Sequence, residues 1–119
     1  MNIYISHSSS YDYENELYKP IKESELFNIH HFFLPHELEN INVDARDELK
    51  QTDILIAEVS YPSTGQGIEL GQANAVGIPI VCFCKAGVKH SSSLRFVTDE
   101  IIEYSDIQDL LTKLSTRLA

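Results

Sequence analysis

Two short segments of the chain concentrate side chains that could hold an anion and act on the group it carries. Ser6 to Ser10 reads SHSSS, and Tyr61 to Gly67 reads YPSTGQG. Small hydroxyl residues offer hydrogen-bond donors without bulk, and the second segment runs into a helical stretch. Backbone N–H groups at a helix N-terminus are ready donors for a phosphate or carboxylate. Ser63 and Thr64 add hydroxyls, and Gly65 and Gly67 let the backbone come close to a ligand. Glu69 follows, in the first turn of the expected helix, where the positive helix end favours the ionised form. A carboxylate there is suited to act as a nucleophile or to stabilise a cation. An acidic residue in a first helical turn is also ordinary helix chemistry, so position alone leaves both readings open.

Other reactive side chains carry less. His30 and His31 are adjacent, so a strand points them to opposite faces, and with His36 they lack the cysteine or acidic spacing of a zinc site. Cys82 and Cys84 share one face of an apolar strand and read as core residues. No metal and no cofactor is expected.

The elements that must position these groups follow from the hydrophobic pattern. Strands are expected at Asn2–Ser6, Ile29–Leu34, Asp53–Ser60, Ile78–Cys84 and Glu100–Tyr104. The continuous apolar run of Asp53–Ser60 predicts burial on both faces, as in a parallel sheet. Helices are expected over Tyr11–Glu25, with an irregular turn at Pro20, over Asp44–Gln51, and over Ile68–Val76, ending at Gly77. The last helix carries Ile107, Leu110, Leu111, Leu114 and Leu118 as an apolar stripe behind a Ser105/Gln108 capping pair. This alternation predicts an α/β, flavodoxin-like three-layer sandwich with a five-stranded parallel sheet in the order 2-1-3-4-5. Ligands bind such sheets beyond the carboxyl ends of the strands, between strands 1 and 3, where the two hydroxyl-rich loops converge.

The 119 residues predict one domain, 1–119, with 9 basic and 18 acidic side chains and a formal net charge of −9. That balance excludes a protein that coats a nucleic-acid polymer, which needs a basic surface, but leaves room for one small anion. No apolar run reaches the roughly 18 residues of a membrane span. Met1 to Ser6 lacks the basic and apolar regions of a signal peptide, so the expected location is cytoplasmic, with no membrane partner.

Taken together, PSTGQGIELGQANAVGIPIVCF, Pro62 to Phe83, resembles the nucleoside 2-deoxyribosyltransferase family, and most closely its 2′-deoxynucleoside 5′-phosphate N-hydrolase branch. DILIAEVS at Asp53 to Ser60 and IYIS at Ile3 to Ser6 fit the same pattern. The resemblance implies cleavage of the N-glycosidic bond of 2′-deoxynucleosides or their 5′-monophosphates, or transfer of deoxyribose between bases. It makes Glu69 the catalytic glutamate and Tyr4 a tyrosine beside it and the sugar. It makes Ser63 a phosphate ligand, puts Ser6 and Ser8 in the substrate-binding first loop, and makes Ser93 a serine that reaches the phosphate of a neighbouring subunit. The expected partners are therefore a nucleoside or nucleotide and a second copy of the chain, in a homodimer with shared active sites. The family's sugar-binding aspartate falls on Ala45, so Asp44 or Asp47 is expected to take over its work. The arginine of the phosphate-binding branch falls on Ser9 and Ser10. These departures keep open a non-catalytic nucleotide-binding module. IYISHSS is also similar to the opening of TIR-like domains, which share the architecture.

Overall fold

β-Branched and aromatic residues at 2–7 favour extended backbone, and the computed structural model, which describes residues 1–119, forms β1 there (Asn2–His7). The chain continues through a π-helical segment (Glu14–Tyr18), α1 (Lys19–Lys22), α2 (Leu26–Ile29) and β2 (His31–Phe33). A short 3₁₀ turn (Leu38–Asn40) leads to α3 (Ala45–Leu49), β3 (Ile54–Glu58), α4 (Thr64–Ala75) and β4 (Ile80–Lys85). A second 3₁₀ turn (Ser92–Phe96), β5 (Ile101–Tyr104) and α5 (Ile107–Leu118) complete it. All strand pairs are parallel, and the order is β2-β1-β3-β4-β5, as the sequence predicts.

The sheet is buried on both faces. Ile3, Ile5, Ile56, Val81 and Phe83 pack against Leu17 and Ile21, and against Leu110, Leu114 and Leu118 of α5. Tyr4, Leu55, Ala57, Cys82 and Cys84 pack on the other side with Leu49, Leu70, Ala73 and Leu94. Each fully buried Leu or Ile side chain contributes about 1.5–3 kcal/mol. No helix is long and apolar enough to cross a membrane.

Several boundaries differ from expectation, each for a local reason. The helix over Tyr11–Glu25 is broken. Pro20 has no N–H, and just before it the Lys19 N–H reaches back five residues to the Glu14 carbonyl, widening the turn into a π segment. Ile29 belongs to α2, so β2 starts at His31. The cap of α5 is Asp106, which accepts from the Asp109 N–H at 2.8 Å, while Asp109 reaches back to the Ser105 N–H at 2.9 Å. That pairing replaces Ser105/Gln108, and Ile107 of the expected stripe is exposed. Most consequential, α4 begins at Thr64 rather than Ile68, because Ser63 caps it, accepting from the Gln66 N–H at 3.3 Å.

Candidate active site

The earlier start of α4 moves Glu69 out of the first turn and into the second. There it faces β1. The Tyr4 hydroxyl donates to Glu69 Oε2, and the Ser6 hydroxyl donates to Oε1 at 2.8 Å. Tyr4 and Ser6 alternate on one face of the strand, so β1 supplies both donors and α4 the acceptor. Phe33 of β2 lies opposite Tyr4 in register, with ring centroids 5.2 Å apart.

Burial of the Glu69 carboxyl raises its pKa above the ordinary glutamate range, although both hydroxyl donors and the charge of His36 pull the other way. Removing a charge from water outweighs two hydrogen bonds here. The helix end does little to oppose this, since the macrodipole acts mainly within the first turn and Glu69 lies in the second. Burial also pushes the Tyr4 phenol up, with Glu69 adding to the effect, so it stays protonated and donates.

The two hydroxyl-rich loops meet at the carboxyl edge, as expected. Tyr11 stacks on Tyr61 with centroids 4.6 Å apart. Lys85 at the end of β4 donates to Tyr61 Oη at 2.9 Å and to Glu16 at 2.7 Å, tying the second loop to the first helical segment. The start of α4 is pinned by Gln66, whose Nε2 donates to the Glu58 carbonyl at 2.8 Å. Glu58 itself accepts from the Ser60 N–H and hydroxyl and from the Tyr104 hydroxyl, locking β3 to β5.

Ser63 accepts in the cap, which leaves its own O–H free to donate. Gly65 and Gly67 lie in the first turn of α4, and nothing stands within 4 Å of where a Gly67 Cβ would be, so that face is open. Ser8 is buried, and its hydroxyl pairs with that of Ser10 at 2.7 Å. A cleft of about 570 Å³ runs between α4 and the loop after β4, lined by Ser63, Thr64, Gly67, Lys89 and Ser93 among others. Ser63 and Ser93 of one chain thus share a cleft, and Glu69 is not among its lining residues. Lys89 brings a base to the cleft that the first loop lacks.

Asp44 and Asp47 are not brought to Glu69. Asp44 caps α3, accepting from the Arg46 N–H at 2.9 Å and pairing with the Arg46 guanidinium, which lowers its pKa. Asp47 points to solvent with Lys50 at 3.5 Å. Neither is hydrogen-bonded to Glu69, Tyr4 or Ser6.

Two histidines gain a place that the sequence did not give them. His7 is buried, and its Nδ1 lies 2.8 Å from the Ser8 carbonyl, an acceptor only, so Nδ1 carries the proton. Its Nε2 accepts from the Tyr18 hydroxyl at 2.7 Å, and Tyr18 in turn accepts from the His36 N–H at 2.9 Å. Burial drives the His7 pKa down to about 4, which fits that neutral tautomer. The exposed His36, three residues past the end of β2, has its ring tilted against that of His7 with centroids 4.7 Å apart, and its charge is felt at Glu69. The signal for His36 was its place just after a strand end, legible only once β2 was set beside β1.

No family model matches the chain. It is 56% identical over 53 residues to the 5-hydroxymethyl-dUMP N-hydrolase of Mus musculus, covering 43% of this chain and 31% of that one. It is 35% identical over 75 residues to a protein of Thermofilum pendens provisionally named 2′-deoxynucleoside 5′-phosphate N-hydrolase 1, covering 59% and 52%. The matched part therefore spans about a third to a half of these relatives. In structure the chain is similar to the CMP N-glycosidase of Clostridium botulinum, with a TM-score of 0.69 and 22% identity over 97% of this chain and 99% of that one. It is also similar to a 2-deoxyribosyltransferase of Leishmania mexicana, with a TM-score of 0.63 and 17% identity over 93% and 95%. The fold is that of these proteins, and the resemblance carried by Pro62 to Phe83 agrees with the names of both sets. The hydrogen bonds of Glu69 to the first strand run against the TIR-like alternative, which would turn that side chain away.

Proposed function

We propose that the chain is one catalytic domain that cleaves the N-glycosidic bond of 2′-deoxynucleosides or their 5′-monophosphates, releasing free base and deoxyribose or its phosphate. The observation that carries this reading is the Glu69 carboxyl held between Tyr4 and Ser6 at the carboxyl edge of the sheet, beside an open helix N-terminus. Rupture of the bond builds positive charge on the sugar. A carboxylate on one face can meet that charge and form a covalent glycosyl ester, which water then opens, as in retaining glycosidases. Tyr4 and Ser6 fix both Glu69 oxygens, so the nucleophile is aimed before substrate arrives. The leaving base takes the bond's electron pair and a proton, and His36, whose charge is felt at Glu69, is the side chain assigned to supply one. A 2′-hydroxyl would destabilise the cation and crowd Glu69, which suits a deoxyribose substrate.

The 5′-phosphate is assigned to the Ser63 hydroxyl, the free N–H groups of the first turn of α4 and the first loop near Ser8. The resemblance makes Ser93 a serine that reaches the phosphate of a neighbouring subunit, which supports a homodimer in which a second copy brings its own Ser93 to this site. In this reading the enzyme works in the cytosol on free nucleotides. Similarity to N-hydrolases favours water as acceptor, and similarity to a deoxyribosyltransferase keeps transfer as the second reading.

The test is incubation with each deoxynucleoside 5′-monophosphate and its unphosphorylated nucleoside, with chromatography of the bases. Release of base and deoxyribose 5-phosphate supports the reading, and a new nucleoside on adding a second base assigns transfer. Tight nucleotide binding with no release of base from any substrate overturns it.

A further inference from the structure

The two loops assigned to the 5′-phosphate are joined through one cation. Tyr11 directly follows Ser8 to Ser10 of the first loop, and Tyr61 stands two residues before Ser63 of the second. Their rings stack with centroids 4.6 Å apart, and Tyr61 lines the same cleft as Ser63. The Tyr11 hydroxyl is buried and finds no partner in the protein. A buried, unpaired hydroxyl opposes this placement of the ring, so contacts on its face must hold it there.

Lys85 supplies one of those contacts. Its backbone N–H donates to Ser60 Oγ at 2.8 Å, which fixes its base against the end of β3. Its Nζ donates to Tyr61 Oη at 2.9 Å and to Glu16 Oε1 at 2.7 Å, and it lies over the Tyr11 ring, 5.4 Å from the centroid. A cation within about 6 Å of an aromatic centroid is attracted by the ring face. Glu16 belongs to the π-helical segment that follows the first loop. One ammonium thus grips both rings of the stack and the element behind the first loop. Burial works against the Lys85 charge, but the bonds to Glu16 and Tyr61 outweigh it and raise the pKa, so the ammonium form is kept.

We propose that Lys85 is a positioning residue for the 5′-phosphate: it latches the first loop to the second, so that Ser8 and Ser63 face one ligand. This rests on the N-glycosidase reading. In this role Lys85 touches neither phosphate nor sugar and acts through the Tyr11–Tyr61 stack. Glu69 is aimed separately, by Tyr4 and Ser6 of β1, so the latch governs the grip on the phosphate and not the breaking of the bond.

The experiment is steady-state kinetics of base release from a monophosphate that wild type cleaves and from its unphosphorylated nucleoside. The proteins are wild type, Lys85→Met, Lys85→Arg, Tyr11→Leu and Tyr11→Leu/Lys85→Met. Methionine keeps the length of the side chain and loses its charge and donors. Lys85→Met is expected to raise KM for the monophosphate about tenfold, the weight of one hydrogen bond to a charged group, with kcat and the nucleoside kinetics near wild type. Lys85→Arg, which keeps the charge, is expected to stay near wild type. In the Tyr11→Leu background Lys85→Met is expected to add little, because the stack it holds is already gone. A structural role would slow both substrates alike. An unchanged KM in Lys85→Met, an equal loss on both substrates, or an equal further rise in the Tyr11→Leu background overturns the latch while leaving the N-glycosidase reading intact. The last result would make Lys85 a ligand of the phosphate itself. Absence of base release from wild type overturns the reading, and the latch with it.

Discussion

Burial and hydrogen bonding act in opposite directions on Glu69, and burial prevails. In the proposed reaction Glu69 attacks as the ionised carboxylate, so activity is expected to rise with pH as Glu69 loses its proton. The acid limb of kcat/KM therefore belongs above the ordinary glutamate range, and a pH profile checks it. Tyr4→Phe removes a donor that favours the ionised form, and is expected to move that limb further up. A limb at the ordinary value in both proteins would mean that Glu69 is solvated during catalysis. Glu69, Tyr4 and Ser63 were legible in the sequence because a motif fixes them in order along the chain. The upward shift of the Glu69 pKa was not, because it depends on β1 closing over the second turn of α4. Asp44 and Asp47 lie close to Ala45 in the sequence, and only the phase of α3, set by buried Leu49, shows that both are exposed.

Among the elements, α4 does most of the positioning. It is held at its cap by Ser63, at its first turn by Gln66 on the Glu58 carbonyl, and at its second turn by Glu69 on β1. Ser63→Ala removes the cap, and is expected to cost about 1 kcal/mol of stability. It also removes the O–H assigned to the phosphate, so KM for a monophosphate is expected to rise while KM for the bare nucleoside stays near its wild-type value. Thermal melts and paired Michaelis curves check the two effects separately. The strands were readable because β1, β3 and β4 are runs of apolar residues buried on both faces. The start of α4 was not, because Thr64 to Gly67 has the composition of a turn. The Ser63 cap and the tertiary bonds of Gln66 and Glu69 override the weak helix propensity of two glycines. The break near Pro20 was foreseen as an irregularity, and its π form depends on which carbonyl the Lys19 N–H finds.

At the scale of the whole molecule, a net charge of −9 suits a nucleotide ligand when the phosphate is gripped by hydroxyls and backbone amides, with Lys89 in the cleft that Ser63 also lines. The homodimer reading makes a further demand. If each site joins Glu69 of one copy to Ser93 of another, co-expressed Glu69→Ala and Ser93→Ala chains complement one another. Random pairing gives one intact site in half of the dimers, so about a quarter of wild-type activity is expected from two nearly inactive parents. No gain over the parents would show that each chain carries a complete site. Beneath this lies the claim that a carboxylate at position 69 breaks the glycosidic bond. The most direct measurement is the rate of base release from a deoxynucleoside 5′-monophosphate by wild type and by Glu69→Gln, which keeps the shape and both hydroxyl neighbours. Expected is steady release by wild type and a loss of at least about a hundredfold in the variant. Equal rates in the two proteins would contradict it.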